Sequence, residues 1–188
     1  MRVISGTARG HKLIAPVGLK TRPTGDRMKE DLFNILTSSV RDAFFLDMYC
    51  GSGAIGVEAL SRGAKEAVFV DLCEGAIAAT KANLLKTRLK DQAQIIKMPA
   101  AQALQHLQGC IFDIVYLDPP YNSGELELIL DQLVWGKFVA KDGIIIVECS
   151  SDTLMPDCLP GDGFSIFRQK KYAQTQLVFY SKEGRGNQ

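Results

Sequence analysis

From residue 44 onward the chain alternates two hydrophobic patterns. Short runs rich in β-branched and aromatic residues predict strands over Phe44–Asp47, Ala67–Asp71, Gln94–Lys97, Phe112–Leu117 and Gly143–Glu148. Between them, segments with helical spacing of apolar residues predict helices over Ala54–Arg62, Gly75–Lys86, Ala100–Leu107 and Glu125–Val134. Buried-type strands alternating with helices mean an α/β fold with a mostly parallel sheet covered on both faces. After Ser150 the alternation stops. Phe164–Phe167 and Thr175–Tyr180 read as two closing strands, an antiparallel hairpin on the sheet edge. Before residue 44 the pattern differs. Arg2–Ile4 and Lys12–Ile14 flank Gly6 and Gly10 and predict a small β-hairpin. A loop rich in Gly, Pro and Thr spans Pro16 to Thr24, and a helix follows from Asp26 to Ser38. Met28, Leu32, Ile35 and Leu36 form its apolar face, with Arg27, Lys29, Glu30 and Asn34 elsewhere. The organisation expected is an N-terminal extension over 1–24, a main domain over 25–182 and a tail over 183–188.

The length, 188 residues, suits one main domain with a sizeable core. No apolar run approaches the roughly 20 residues that cross a bilayer, and the first residues lack the apolar core of a signal peptide. A cytoplasmic protein with no membrane contact is expected. The five cysteines, Cys50, Cys73, Cys110, Cys149 and Cys158, form no C-x-x-C, and the count is odd. Buried reduced thiols are the expectation. The two histidines, His11 and His106, lie apart from thiols and carboxylates, so no metal is predicted. The net charge of +1 is unevenly spread. Residues 1–30 hold seven Lys/Arg against two acids, a balance of +5 that leaves −4 for the rest. A basic end on a mildly acidic body suggests a polyanion contact, to be weighed against a solvated arm.

Gly51-Ser52-Gly53-Ala54-Ile55-Gly56 is a G-x-G-x-x-G between a predicted strand and helix. Glycines there allow a tight turn and close approach of backbone to ligand. Asp71 ends the next strand, where an acid can bond ribose hydroxyls. These features fit NAD as well as other adenosine ligands. Asp47, four residues before Gly51, would place a carboxylate at the mouth of the loop, repelling a pyrophosphate and attracting a cationic group.

Asp118-Pro119-Pro120-Tyr121 follows a buried-type strand. Two prolines cannot continue a ladder, so the chain leaves the sheet stiffly there. The carboxylate of Asp118 and the carbonyl of Pro119 are acceptors at a strand's carboxyl end, with the Tyr121 ring beside them. That set suits a planar group carrying an amine, such as a nucleobase. A proline-stiffened turn capped by Asp118 is the bland alternative.

Asp47, the glycine loop, Asp71 and the tetrapeptide together closely resemble the S-adenosylmethionine-dependent methyltransferases that act on exocyclic amines. The resemblance narrows further. Arg2-Val3-Ile4-Ser5-Gly6 with Gly10, the block Thr21-Arg22-Pro23-Thr24 with Asp26-Arg27-Met28-Lys29-Glu30, Leu32-Phe33-Asn34 and Leu36, and then Glu58-Ala59 with Ser61-Arg62-Gly63, are similar to the RsmD family. Members of that family methylate N2 of one guanine in bacterial 16S rRNA. The resemblance implies a Rossmann-like seven-stranded methyltransferase sheet, mostly parallel with an antiparallel last strand. It implies S-adenosylmethionine as cofactor and 16S rRNA within a small-subunit particle as partner, with a monomer expected. Asp47, Gly51, Ser52, Gly53 and Gly56 would hold the methionine end of the cofactor, and Asp71 the ribose. Ala100 falls where many relatives carry an acid for the adenine amine, so any contact there must come from backbone or a neighbour. Asp118, Pro119, Pro120 and Tyr121 would form the catalytic segment, with Asp118 also beside the cofactor.

The amine of a nucleobase is a poor nucleophile because its lone pair is delocalised. Acceptors at Asp118 and Pro119 would localise that lone pair, and Tyr121 would stack on a base taken out of its helix. Arg2, Arg9, Lys12, Lys20 and Arg22 are the candidate phosphate contacts. Deleting residues 1–24, which carry little apolar bulk, is expected to spare cofactor binding and weaken RNA binding. Three alternatives compete: a DNA adenine-N6 methyltransferase, a non-catalytic ribosome-assembly factor, and, last, a NAD dehydrogenase.

Overall fold

The computed structural model describes residues 1–16, 25–120, 124–161 and 163–182. Lys20, Arg22, Tyr121, the 183–188 tail and most of the 16–24 loop fall outside the described residues. Seven strands form one sheet in the order β3-β2-β1-β4-β5-β7-β6, with β1 Phe44–Met48, β2 Glu66–Asp71, β3 Ala93–Lys97, β4 Phe112–Leu117, β5 Val139–Ser150, β6 Phe164–Lys171 and β7 Thr175–Lys182. The helices are α1 Asp26–Leu36, α2 Ala54–Ser61, α3 Glu74–Thr87, α4 Ala100–His106 and α5 Glu125–Trp135. The expected α/β fold with a reversed last strand is therefore present. The chain divides into two compact units, Met1–Ala100 and Ala101–Gln188.

In the first unit, β1 pairs in parallel with β2, and β2 with β3. The strand interiors are apolar: Phe45, Leu46, Met48, Phe69 and Val70 are almost fully buried. All eight residues of α2 are buried, the pattern of a helix enclosed on every side. Part of its cover is the N-terminal segment. The expected hairpin is there as an antiparallel pairing reduced to one bridge, Arg2 with Lys12. Its few backbone bonds, including Val3 N–H to the His11 carbonyl, are supplemented by side chains of the body.

That supplement corrects two expectations. Lys29 does not lie on a polar face of α1: it is fully buried and pairs with the equally buried Glu58 at 3.2 Å. Burial lowers its pKa, and the attraction of Glu58 opposes the fall. Residues 1–16, the described part of the expected extension, are not an arm that could be removed without disturbing the rest. Val3 and Ala8 are buried, Ile4 and Ser5 N–H groups donate to Glu58, and the Ala8 N–H donates to Ser61 Oγ at 2.9 Å. Gly6 (φ +84°) passes so close to α2 that an added Cβ would lie 1.7 Å from the Ser61 carbonyl oxygen. Ile35, expected in the apolar face, is only half-buried.

In the second unit, β4 pairs in parallel with β5, and β7 lies antiparallel between β5 and β6. Strand β5 is longer than its apolar run, because Val139 pairs with Phe112 and exposed Lys141 and Asp142 bulge before pairing resumes at Ile114 with Ile144. Strand β6 likewise runs past Phe167 into Arg168-Gln169-Lys170-Lys171, polar residues suited to an outer strand. Leu130 and Leu133 of α5, Ile145 and Ile146 of β5 and Leu177 and Phe179 of β7 are nearly fully buried. Only Cys50 and Cys149 of the five thiols are buried. Cys73 is half-buried, and Cys110 and Cys158 are exposed, so packing does not account for those two.

Candidate functional site

The first unit builds the glycine loop at the carboxyl end of β1. Gly51 (φ +55°) and Gly53 (φ +71°) take left-handed backbone conformations that side chains disfavour. A Cβ at Gly51 would meet no heavy atom within 4 Å, so that side of the loop has room for a ligand. Gly56 has the opposite reason: a Cβ there would sit 2.3 Å from Phe69 Cε1, so only glycine lets α2 approach β2. Asp71 ties the two strand ends together. Its Oδ2 accepts the Gly51 N–H at 2.9 Å and its Oδ1 the Cys73 N–H at 2.8 Å. The next residue, Leu72, is 62% exposed, an apolar surface beside this carboxylate. Ser52 is buried, with its Oγ 3.6 Å from Met1 Sδ.

Asp47 is not at the mouth of the loop. It is buried beneath it, 1% exposed, and its Oδ2 accepts the Gly56 N–H at 2.9 Å. Burial pushes its carboxyl up to about 8; the Gly56 N–H opposes the rise and the Asp71 charge adds to it. From about pH 4, the ordinary carboxylate range, the folded state holds more protons at this group than the unfolded chain. Its contribution to stability is therefore full in acid and declines as pH rises toward about 8. Asp47→Asn should flatten the pH dependence of Tm between pH 5 and 8 in cofactor-free protein. A variant whose Tm follows pH as the parent's does would show that Asp47 ionises like a surface carboxylate.

Asn83 of α3 is the member of this unit that sequence reasoning missed. Fully buried, it accepts the Ile14 N–H at 2.7 Å and donates to the carbonyls of Ile14 at 2.9 Å and Ser52 at 2.8 Å. One amide thus fastens the N-terminal segment to the glycine loop. Nothing in an Ala-rich helix pattern marks an asparagine as special. Lys29, Glu58, Ser61 and Arg62, by contrast, stood in the blocks that carried the resemblance, without a role. Their role is to hold residues 2–8. Arg62 also donates to Glu58 at 2.8 Å and stacks on Phe33, 4.8 Å from the ring centre.

Of the basic candidates, Arg9 and Lys12 are exposed. Arg2 pairs with Asp26 at 3.3 Å through a side chain still 64% exposed. Ala100 is buried at the first residue of α4.

In the second unit, β4 ends at Leu117 and the chain enters Asp118-Pro119-Pro120. Asp118 is half-buried, Pro119 buried and Pro120 exposed. Tyr116, two residues earlier, donates its hydroxyl to Glu148 of β5, and both are buried. That pair was also missed, because each lay inside an apolar run and was read as strand filling.

A family model described as conserved hypothetical protein 95 matches residues 1–181. The Bacillus subtilis protein YlbH is 36% identical over 98% of this chain and 100% of its own length. The ribosomal RNA small subunit methyltransferase D of Escherichia coli strain K12 is 34% identical over 99% of this chain and 92% of its own. Among solved structures, the Escherichia coli protein yhhF superposes with a TM-score of 0.86 at 34% identity, over 98% of this chain and 99% of that one. A Thermus thermophilus protein superposes with a TM-score of 0.82 at 29% identity, over 96% of this chain and 99% of that one. The chain belongs to the conserved hypothetical protein 95 family, the RsmD family of methyltransferases.

Proposed function

We propose that this methyltransferase moves a methyl group from S-adenosylmethionine to the N2 amine of a guanine in small-subunit rRNA. The observation that carries the reading is Asp118-Pro119-Pro120 at the carboxyl end of β4, a rigid acceptor pair suited to an exocyclic amine, in a chain of this family. The reading extends to 16S rRNA within a small-subunit particle as substrate, a monomeric enzyme and a cytoplasmic location. No helix among the described residues is long and apolar enough to cross a membrane.

The first unit fits the cofactor. The open side of Gly51, the Asp71 carboxylate and the exposed Leu72 form a turn, an acceptor and an apolar surface, a set suited to an adenosine. S-adenosylmethionine supplies an electrophilic methyl group on a cationic sulfur. Gly51, Ser52 and Gly53 bring backbone close to its amino-acid end, while Gly56 lets α2 close beneath the loop and Asp47 acts from beneath through the Gly56 N–H. Ala100 is assigned a backbone contact to the adenine. Asp71 accepts from the ribose while holding the Gly51 N–H. Asp71→Ala should therefore weaken S-adenosylmethionine binding by roughly 1–3 kcal/mol, the loss of hydrogen bonds to a charged group. Unchanged affinity by calorimetry would remove Asp71 from the site.

Asp118 and the Pro119 carbonyl accept the two N–H groups of the amine, drawing its lone pair out of conjugation. As the S–CH3 bond breaks and the N–CH3 bond forms, Asp118 also stabilises the positive charge that develops on nitrogen and takes up the proton that the methylated amine releases. Pro120 keeps the turn stiff, and Tyr121 is assigned the stacking face. Arg9 and Lys12, with Arg2, Lys20 and Arg22, are assigned to phosphates. If Arg9 and Lys12 each neutralise one phosphate, replacing both with alanine should lower the slope of log affinity against log salt by about 1.4 to 1.8. An unchanged slope would make them solvated surface. The reading as a whole is tested by labelled-methyl transfer to small-subunit particles lacking the modification; label absent from the RNA would refute it.

A further inference from the structure

We infer that Glu148 reads the base: its carboxylate accepts the N1–H of the target guanine beside the amine held by Asp118, which makes it a specificity-determining residue. The inference rests on the proposed guanine-N2 reading and names what enforces it.

The geometry lies within the second unit. Strands β4 and β5 pair in parallel with Leu117 opposite Val147. Asp118 and Glu148 are the residues that directly follow that last pair. Paired residues of adjacent strands point to the same side of a sheet, and alternate residues of one strand share a face. Tyr116 and Glu148 therefore share a face, and Asp118 follows two residues after Tyr116, where Pro119 and Pro120 turn the chain away. The Tyr116 hydroxyl donates to Glu148 Oε2 and fixes the carboxylate in place. Glu148 is 6% exposed, so a group reaching it enters a nearly dry site, where a mismatched polar atom is costly.

Nothing in methyl transfer itself needs a second carboxylate here, but base choice does. An ionised carboxylate only accepts hydrogen bonds and has room for several, so Glu148 can take an N1–H beside the bonds it already makes. Guanine presents two adjacent donors, the N2 amine and N1–H. Adenine presents its amine beside N1, which carries a lone pair and no hydrogen. An acceptor next to Asp118 therefore welcomes guanine and repels adenine, although both offer an amine. Tyr116 is a positioning residue in this arrangement, since it acts through Glu148.

The test uses 2-aminopurine, which keeps the N2 amine but has no hydrogen on N1. Small-subunit rRNA is assembled with guanine or 2-aminopurine at the methylated position and reconstituted into particles. The parent enzyme should prefer guanine by roughly 10²-fold or more in kcat/KM, as expected where a buried acceptor loses its donor. Glu148→Gln, nearly the same size and able to donate to an unprotonated N1, should lose most of that preference by slowing on guanine and not on 2-aminopurine. Tyr116→Phe should reduce the preference in the same direction. A purely structural Glu148 would lower both substrates alike. Parental preference retained in Glu148→Gln, or no preference in the parent, would overturn the inference. The parent's own transfer to the guanine particle checks the underlying reading separately. If that transfer fails, the proposed function falls first. If it succeeds without discrimination, only the role of Glu148 falls.

Discussion

Asp118→Ala is expected to lower methyl transfer by ~10²–10⁴-fold, the size seen when a positioned group acting on the reacting atom is lost. The side chain is half-buried at the end of β4, so its removal leaves the strand's apolar anchors, Ile114, Val115 and Leu117, in place. The loss should therefore appear in the rate, with S-adenosylmethionine affinity changed by less than about tenfold, or 1.4 kcal/mol. Asp118→Asn should retain more activity, because its amide oxygen still accepts one N–H without the charge. Transfer at near the parental rate by Asp118→Ala would leave the two prolines as a stiff turn and nothing more.

Lys29→Ala is expected to cost about 3 kcal/mol of stability, the low end of the range for breaking a buried ion pair. Three consequences combine. Glu58 loses one of its two cationic partners, the Arg2 carbonyl loses a donor, and a fully buried side chain becomes a cavity. Arg62 continues to pair with Glu58, which keeps the cost at the low end. The denaturation midpoint should fall with the slope unchanged. Because Glu58 also holds the Ile4 and Ser5 N–H groups, the N-terminal segment should gain hydrogen exchange in the variant before the strands do. A midpoint within ±0.5 kcal/mol of the parent, the usual range for surface substitutions, would mean the pair is not enclosed in solution.

What the sequence made legible follows from period and chemistry. The strands and helices of the alternating region were readable because each buries apolar residues on a regular period, and all of them are present. Gly51 and Gly53 were readable because a tight turn between a strand and a helix favours glycine, and Asp71 because it ends the next strand; the structure joins Gly51 to Asp71 through the Gly51 N–H. What was not legible is what depends on tertiary partners. Lys29 reads as solvated on any helical wheel; only Glu58, arriving from α2, makes its burial tolerable. The depth of Asp47 is invisible for the same reason, since three intervening residues before Gly51 fix a spacing but not a direction. Glu148 and Tyr116 sit in runs so apolar that the pattern absorbs them, and their bond joins residues 32 positions apart. The N-terminal segment looked separable because its few apolar residues, Val3 and Ala8 among them, understate how many backbone groups the body holds.

The central claim is that this chain methylates the N2 amine of a guanine in small-subunit rRNA. The most direct measurement incubates the protein with labelled S-adenosylmethionine and small-subunit particles lacking the modification, digests the rRNA to nucleosides and identifies the labelled product. The account predicts N2-methylguanosine as the labelled nucleoside, from one site. Label in N6-methyladenosine, or none in the RNA, would contradict it.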